Sequence, residues 1–446
     1  MSAILQDQDI ATKDWYKQLF QTYRQGLNGH SEHPLAQFRL AAYEQLEGQD
    51  FPTRRDEDWK YSGAPIARMM ENRFQATNAA TVDAKTLAAY QIPELTAATF
   101  VFVNGVFQEA LSASTLPKGV SIERLSAALE NDEKRSWIEE QVAQAGGTEQ
   151  NTFLPLNRAF AENGLYIETE RNAQVDLPIY CLYLNTPSDE AHLSNPQLFV
   201  RVRGGSTLSL IERFQATPAT GSYFTNVANW ISVEDNAHCH HYKLQMENGQ
   251  ALQVHNTLVR QGRDSTYSNY SLDLGGKVVR NNLATTLLGS NTNTNYYGVY
   301  LGDQQQHIDN QTFIDHAVPH CQSNELYKGI LTDYARGVFN GKVMVRQDAQ
   351  KTNAFQQNSS LVLSKNAIMD AKPQLEIFAD DVLCSHGATI GQLDETSVFF
   401  LRSRGLSEGQ ARQLLQQAFL SEVLEAMPNT AVREYALEML ETKLLG

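Results

Sequence analysis

The chain has 446 residues, a length that suggests two to four domains. Hydrophobic residues make up 42% and aromatic residues 9% of the chain, as in an ordinary globular protein with a core. Its 51 acidic and 36 basic side chains give a formal net charge of −15, which argues against nonspecific binding to nucleic acid or to an anionic membrane.

The cysteine content and the first residues indicate a reducing, cytoplasmic location. The chain has four cysteines and no Cys-x-x-Cys motif, so no disulfide framework is expected. The segment Met1–Asp7 lacks the basic start and apolar stretch of a signal peptide. No apolar run approaches the roughly 20 residues of a membrane span.

Residues 1 to about 95 show helical periodicity. Trp15, Leu19 and Tyr23 recur at four-residue spacing and would share one helix face, and a second apolar stripe follows Pro34. The charged segment Arg54–Tyr61 is predicted to be a solvated linker held by Trp59.

Two further elements are predicted before residue 150. The segment 100–107 alternates and contains Asn-Gly, which predicts a hairpin. The segment 121–145 is predicted to be a helix that ends at the following glycine pair.

From about residue 160, short strand-like runs recur every ten to fifteen residues between turns rich in Gly, Asn, Asp and Ser. This stretch shows no helical periodicity, and the pattern alone fits a sandwich, a barrel or a β-solenoid. The predicted strands are 198–202, 208–214, 229–233, 240–244, 257–260, 267–272, 283–288 and 296–301.

The segment 372–389 is predicted to be two short strands joined by a turn at Ala379-Asp380-Asp381. In the second strand Cys384 and His386 would share one face, roughly 7 Å apart, within reach of one ion or one partner side chain. The alternative is a buried thiol beside a hydrogen-bonded histidine. Because zinc or iron usually takes three or four protein ligands, further ligands would have to come from elsewhere.

Two other His and Cys clusters are candidate metal sites. In the segment 238–241, alternation turns two side chains to each face, so the four cannot bind one ion. In the segment 307–321, His316 and His320 have the spacing of a metal-binding helix, but Pro319 argues against a helix there.

The C-terminal residues are again predicted to be helical. Ser407 and Gln410 have the spacing of a capping box, and an apolar stripe follows at 411, 414, 415, 418 and 419. After Pro428, a last amphipathic helix presents its apolar face at 432, 435, 436, 439 and 440.

Several segments of the last third together resemble the SufB/SufD family of iron–sulfur cluster assembly proteins. The Asp58–Tyr61 segment is similar to a family motif near the N-terminus. Cys384-Ser385-His386-Gly387 and the lack of cysteine in 352–383 resemble the SufD branch rather than SufB. The matching segments are Arg336–Lys342, Ala349–Ala354, Lys372–Ile377, Asp380–Val382, Cys384–Gly391 and Leu401–Gly405.

The resemblance implies a mostly β fold, a right-handed parallel β-helix core flanked by helical regions. We expect a mainly helical N-terminal region over 1–150, the β-helix over 151–395 and a C-terminal helical region over 396–446. Polar side chains of 307–321 would then form hydrogen-bonded ladders inside the β-helix, with His316 and Cys321 as secondary metal-ligand candidates.

The function that the resemblance implies is that of a scaffold subunit without enzymatic activity. It would pair with a SufB-like subunit through the C-terminal end of its β-helix and bind SufC-like ATPases through its last helices. His386 and Cys384 would take part in acquiring iron or holding a nascent cluster at the SufB interface. The isolated chain would form a homodimer and bind no cofactor stably, with iron or a cluster present only transiently in the complex.

A different class of function is a β-helix polysaccharide hydrolase or lyase. Asp380 and Asp381 beside His386 are compatible with the paired carboxylates of such enzymes. The segment lacks the aromatic and basic residues that would bind an acidic sugar, and such enzymes are generally exported.

Overall fold

The computed structural model describes residues 11–26, 33–76, 80–144, 151–162 and 164–445. Strands make up 39% and helices 28%, so the protein is mostly β. Among the described residues, no helix is both long and apolar enough to cross a membrane. The helices are α1 (Thr12–Gly26), α2 (Pro34–Glu47), α3 (Gly63–Met70), α4 (Ala84–Ala88), α5 (Leu125–Glu130), α6 (Asp132–Ala143), α7 (Phe153–Phe160), α8 (Glu395–Ser403), α9 (Glu408–Glu425) and α10 (Thr430–Leu445).

The strands confirm the predicted β-rich stretch and extend it in both directions. The strands are β1 (Gln75–Ala76), β2 (Ala98–Val103), β3 (Val106–Phe107), β4 (Val120–Arg124), β5 (Leu165–Thr169), β6 (Ile179–Asn185), β7 (His192–Ser194), β8 (Gln197–Val202), β9 (Thr207–Ala216), β10 (Tyr223–Val233), β11 (His238–Met246), β12 (Leu252–Gln261), β13 (Thr266–Asp273), β14 (Val278–Leu287), β15 (Asn293–Gly302), β16 (His307–His316), β17 (Gln322–Leu331), β18 (Arg336–Val345), β19 (Asn353–Val362), β20 (Ile368–Ala371), β21 (Gln374–Ile377) and β22 (Leu383–Gly391).

Consecutive strands of the chain alternate between two parallel sheets, which makes the architecture a β-solenoid of about 8 turns. One sheet, sheet A, runs β20-β18-β16-β14-β12-β10-β8-β5-β4, and sheet B runs β22-β19-β17-β15-β13-β11-β9-β6-β2-β3. Successive turns stack in register, so that Leu252 pairs with Val278, Val278 with His307 and His307 with Arg336. This arrangement, with helices at both termini, confirms the predicted fold class.

Apolar side chains of both sheets fill the interior of the solenoid, and helices cover the outer faces. Trp15, Trp59 and Phe153 pack on the outer face of sheet A at Phe224 and Val278. The buried faces of α9 and α10 pack on sheet B, where Val423 and Met439 share one cluster with Leu244, Val299 and Ile330. The N-terminal helices α1 and α7 therefore cover sheet A, whereas sheet B is covered by the C-terminal helices together with Leu87 of α4.

Two predicted helical segments differ from the structure. Residues 120–124 form β4, which pairs antiparallel with β5, so the predicted helix over 121–145 was wrong at its start. In α9 the capping box of Ser407 and Gln410 is confirmed, but Leu414 of the predicted stripe is 44% exposed. The buried face of this helix is formed by Ala411, Leu420, Val423 and Leu424.

The hairpin and the linker agree with their predictions. Strands β2 and β3 pair antiparallel around Asn104 and Gly105, which both have the positive φ that a two-residue hairpin turn requires. Trp59 is 1% exposed, so it holds the charged segment 54–61 against the solenoid.

Candidate functional site

The candidate site lies at the C-terminal end of the solenoid, where β22 forms the outer edge of sheet B. In the parallel register Cys384 lies beside Ala354 and His386 beside Gln356. Both β19 partners are buried and face the interior, so Cys384 and His386 line the same interior face. His386 is nevertheless exposed and Cys384 half-buried, because in the described chain no later turn covers β22.

The thiol of Cys384 sits at the edge of a small apolar cluster. It packs with Val382 against buried residues that include Val345 and Ala349. Burial raises the pKa of Cys384 above its ordinary value. Because only the thiolate is a strong metal ligand, Cys384 requires an added positive charge or a metal to lose its proton.

Below His386, a chain of buried polar side chains runs into the interior. Gln356 donates from Nε2 to Glu325 Oε1 at 3.0 Å, and Thr312 donates to the other oxygen of Glu325. Burial raises the pKa of Glu325 to about 7. The Oε1 atom of Gln356 is buried and has no hydrogen-bond partner, so the side chain next to His386 retains a free acceptor.

His316 and Cys321, the secondary candidates, are buried and have hydrogen-bond partners inside the solenoid. His316 Nε2 lies 2.9 Å from Ser323 Oγ, and burial lowers the pKa of His316 to about 4. The Cys321 thiol donates to the carbonyl oxygen of Gly289 at 3.5 Å. Across the described ranges, no group of three or more His, Cys, Asp or Glu side chains is placed to hold a metal ion.

The predicted polar ladders are present in the same part of the solenoid. Asn281 donates to Asn310 one turn away at 2.8 Å, and Asn340 donates to Gln311 at 2.7 Å. These amides form one hydrogen bond per pair along the stack, while Asn310 Nδ2 and Asn340 Oδ1 stay buried without a partner among the described residues.

The segment 238–241 alternates as predicted, with His241 inside and His238 exposed. His241 Nε2 lies 2.7 Å from Glu212 Oε1, with His255 Nε2 at 3.5 Å from the same oxygen. Burial raises the pKa of Glu212, but the hydrogen bonds to His241 and His255 outweigh it and hold that pKa below its usual range. No local pattern in the sequence indicates Glu212, because its partners lie one turn or more away.

Asp380 and Asp381, the carboxylates of the alternative hydrolase, are both exposed in the turn between β21 and β22. Asp381 forms an ion pair with Lys351. The turn therefore holds one carboxylate already paired with a cation and one facing solvent.

Two family models cover most of the chain. The SufBD core domain of the SUF system for FeS cluster assembly matches residues 183–419, and the SufBD protein N-terminal region matches residues 10–181. The chain belongs to the SufBD family. The resemblance predicted from the sequence is thereby confirmed, and the role of the chain lies in iron–sulfur cluster assembly.

Relatives of this SufBD chain match it over nearly its whole length. The iron–sulfur cluster assembly protein SufD of Escherichia coli is 31% identical over 425 residues, which is 94% of each chain. A SufBD-family iron–sulfur cluster assembly protein of Synechocystis is 32% identical over 90% of this chain and 89% of its own. The chloroplastic protein ABCI7 of Arabidopsis thaliana is 30% identical over 91% of this chain and 85% of its own. The family assignment favours cluster assembly over the polysaccharide hydrolase or lyase.

Proposed function

We propose that this SufBD chain is a SufD-like scaffold subunit without enzymatic activity that pairs with a SufB-like subunit through the open end of its solenoid. The observation that carries the proposal is that β22 presents Cys384 and His386 on an interior face that no described part of the chain covers. A strand at the edge of a sheet has unpaired backbone groups and is suited to pairing with a second chain.

Exposed apolar side chains surround this edge and support its role as an interface. They are Ile377 (40% exposed), Phe378 (63%), Leu383 (67%) and Ile390 (55%). Apolar side chains clustered at one surface are typical of protein interaction sites. In the absence of a SufB-like partner, the same edge would form a homodimer.

At this interface His386 and Cys384 would help to acquire iron or to hold a nascent cluster, with the remaining ligands supplied by the SufB-like subunit. Iron accepts both imidazole and thiolate. A neutral histidine is the weaker of the two ligands, which suits a cluster that must later leave. The iron or cluster is cargo of the complex, and the isolated chain would bind no cofactor stably.

The C-terminal helices would bind a SufC-like ATPase in the cytoplasm or an equivalent compartment. Phe399 and Phe400 of α8 are 72% and 54% exposed, and Leu414 of α9 is 44% exposed. The opposite face of α9 packs on sheet B, so movement of a bound ATPase would be transmitted to the solenoid.

The test is to co-express the chain with SufB-like and SufC-like subunits and purify the complex anaerobically. We expect His386→Ala to leave the complex assembled but with at least a severalfold loss of iron and of visible cluster absorbance, and Cys384→Ala to lose less. Ser385→Ala is the matched control, because Ser385 lies between them on the opposite face of β22. Unchanged iron and absorbance in both variants would show that the Cys-x-His pair is structural.

A further inference from the structure

A cleft of about 680 Å³ lies between the N-terminal region and sheet A, away from the open end of the solenoid. One wall is formed by the 54–61 segment and α3. The other wall is formed by the turns that precede β14, β16 and β18. Five cationic side chains line this basic cleft: Arg54, Lys60, Arg68, Lys277 and Arg336.

None of the residues lining the basic cleft is a carboxylate. Arg336 bonds Asp370 at 2.7 Å, whereas Arg54, Lys60, Arg68 and Lys277 form no salt bridge within the part of the chain that the structure describes. Of the carboxylates on the neighbouring elements, Glu57 pairs with Lys372, Asp303 with Lys443 and Asp309 with Arg280. The carboxylates of Asp56, Asp58 and Glu71 lie near the cleft but do not line it. The lining of the cleft therefore carries an excess of positive charge in a chain whose net charge is −15.

A second large cavity, lined by residues of the 201–205, 232–236 and 260–262 segments, has no such excess. Its volume is about 780 Å³, and its arginines face carboxylates in or beside it. Arg201 bonds Glu234 at 2.9 Å, and Arg260 lies 3.2 Å from Glu140. Of these two cavities in the described part of the chain, the basic cleft is the one with an excess of positive charge.

The Tyr61 ring contacts two cations of the basic cleft, and one helix end adds to the positive field of the cleft. The guanidinium of Arg336 and the ammonium of Lys60 lie 5.5 and 5.6 Å from the centre of the Tyr61 ring. Ala64 lines the cleft from the first turn of α3, so the positive end of the helix dipole adds to the field. Tyr334, which is 64% exposed, completes the rim.

We propose that the basic cleft binds a small phosphate-bearing anion. A planar carboxylate is satisfied by one guanidinium fork, whereas here three arginines and two lysines approach from both walls. That arrangement matches the many oxygen atoms and the multiple charge of a phosphate ester or of pyrophosphate.

The proposal is tested by calorimetric titration of the full chain with inorganic pyrophosphate, with citrate as a carboxylate probe of similar charge. We expect saturable one-to-one binding of pyrophosphate that weakens as salt is added, and citrate binding at least about tenfold weaker. The double variant Arg68→Gln/Lys277→Gln should weaken pyrophosphate binding at least about tenfold. It should also leave the thermal midpoint unchanged, since both side chains are exposed and unpaired.

The matched control is Lys118→Gln/Arg263→Gln, which removes the same two kinds of charge from exposed positions outside the cleft. Its affinity for pyrophosphate should stay within twofold of the unaltered chain. No saturable binding, an equal loss in both double variants, or citrate binding as tight as pyrophosphate would each overturn the proposal. Loss of SufB-like or SufC-like partner binding in Arg68→Gln/Lys277→Gln, without pyrophosphate binding to the unaltered chain, would instead assign the cleft to an acidic protein surface.

Discussion

At the scale of single residues, the interior of the solenoid is unusual in holding ionisable groups far from solvent. Glu325 is 1% exposed and its two carboxylate oxygens accept hydrogen bonds from Gln356 and Thr312. Neither partner is a cation, so the desolvation of the carboxylate is not compensated by an opposite charge. This is why the pKa of Glu325 rises to about 7, from an ordinary value of 4.5.

The raised pKa of Glu325 predicts a pH-dependent stability that Glu325→Gln removes. Between pH 4.5 and 7 the unfolded chain releases a proton that the folded protein keeps, so the free energy of unfolding falls as pH rises through this window. The slope is about 1.4 kcal/mol per pH unit, or about 3 kcal/mol across the window. Urea unfolding measures this loss. Between pH 4.5 and pH 7.5, the free energy of unfolding of the unaltered chain should fall by about that amount relative to that of the Glu325→Gln variant.

The control for this prediction is Glu44→Gln, which alters an exposed carboxylate. The free energy of unfolding of this variant should change between the two pH values by the same amount as that of the unaltered chain. If the free energy of unfolding of the Glu325→Gln variant depended on pH as that of the unaltered chain does, Glu325 would be ionised in the folded protein.

Some residues of the interior could not be predicted from the sequence, whereas the orientation of Cys384 and His386 could. Alternation along a strand placed Cys384 and His386 on one face correctly, since that needs only the period of two. The partners of Glu212 and Glu325 lie 13 to 43 residues away across the turns of the solenoid, where no local pattern indicates them.

At the scale of elements, β22 is the exposed edge of an otherwise covered sheet. Ile390 lies on it, 55% exposed, and pairs in register with Ser360. Ile390→Lys places a charge at the edge, which natural sheets use to prevent edge-to-edge pairing. We expect the variant to sediment as a monomer at concentrations where the unaltered chain forms dimers, with an unchanged unfolding midpoint.

Leu288→Lys is the matched control for the edge variant, because Leu288 is similarly exposed (45%) but lies on the side of the solenoid. It should leave the association state unchanged. Equal association of the Ile390→Lys variant and the unaltered chain would place the self-association surface elsewhere.

Helix faces were predicted less well than strands because α9 is apolar on more than one side. The sequence stripe included Leu414, yet sheet B packs against Leu420, Val423 and Leu424. Which of two apolar faces a helix buries depends on the surface opposite, and local periodicity does not contain that information. The error at 121–124 has the same cause, since β4 exists only because β5 is beside it.

At the scale of the whole molecule, one buried cation joins the N-terminal region to the solenoid. Arg280 Nη1 bonds Asp309 Oδ2 at 2.6 Å and the backbone oxygen of Asp58 at 2.8 Å. Its guanidinium also lies 4.2 Å from the centre of the Trp59 ring. The contact between Arg280 and Asp58 spans 222 residues of sequence, so only the folded solenoid brings them together.

Removing this cation should loosen the N-terminal region from the solenoid. Arg280→Ala leaves Asp309 buried without its partner, a loss of about 3–5 kcal/mol in the free energy of unfolding. We expect a lower urea midpoint and faster proteolytic cleavage within 54–62. The exposed Arg263→Ala should change neither. A wild-type cleavage rate in Arg280→Ala would show that the segment is held without Arg280, by Trp59 packing and the Glu57–Lys372 pair.

The ion pair between Glu57 and Lys372 joins positions 315 residues apart. During synthesis at about 5–20 residues per second, the 54–62 segment leaves the ribosome roughly 15 to 60 s before its partner in the last turn. The turns of a solenoid stack on their neighbours, so β22 can pair with β19 only after the preceding turns exist. The edge with Cys384 and His386 is thus the last strand of the solenoid to form, and a growing chain has no place for a partner or for iron at this edge until the turns behind it have folded.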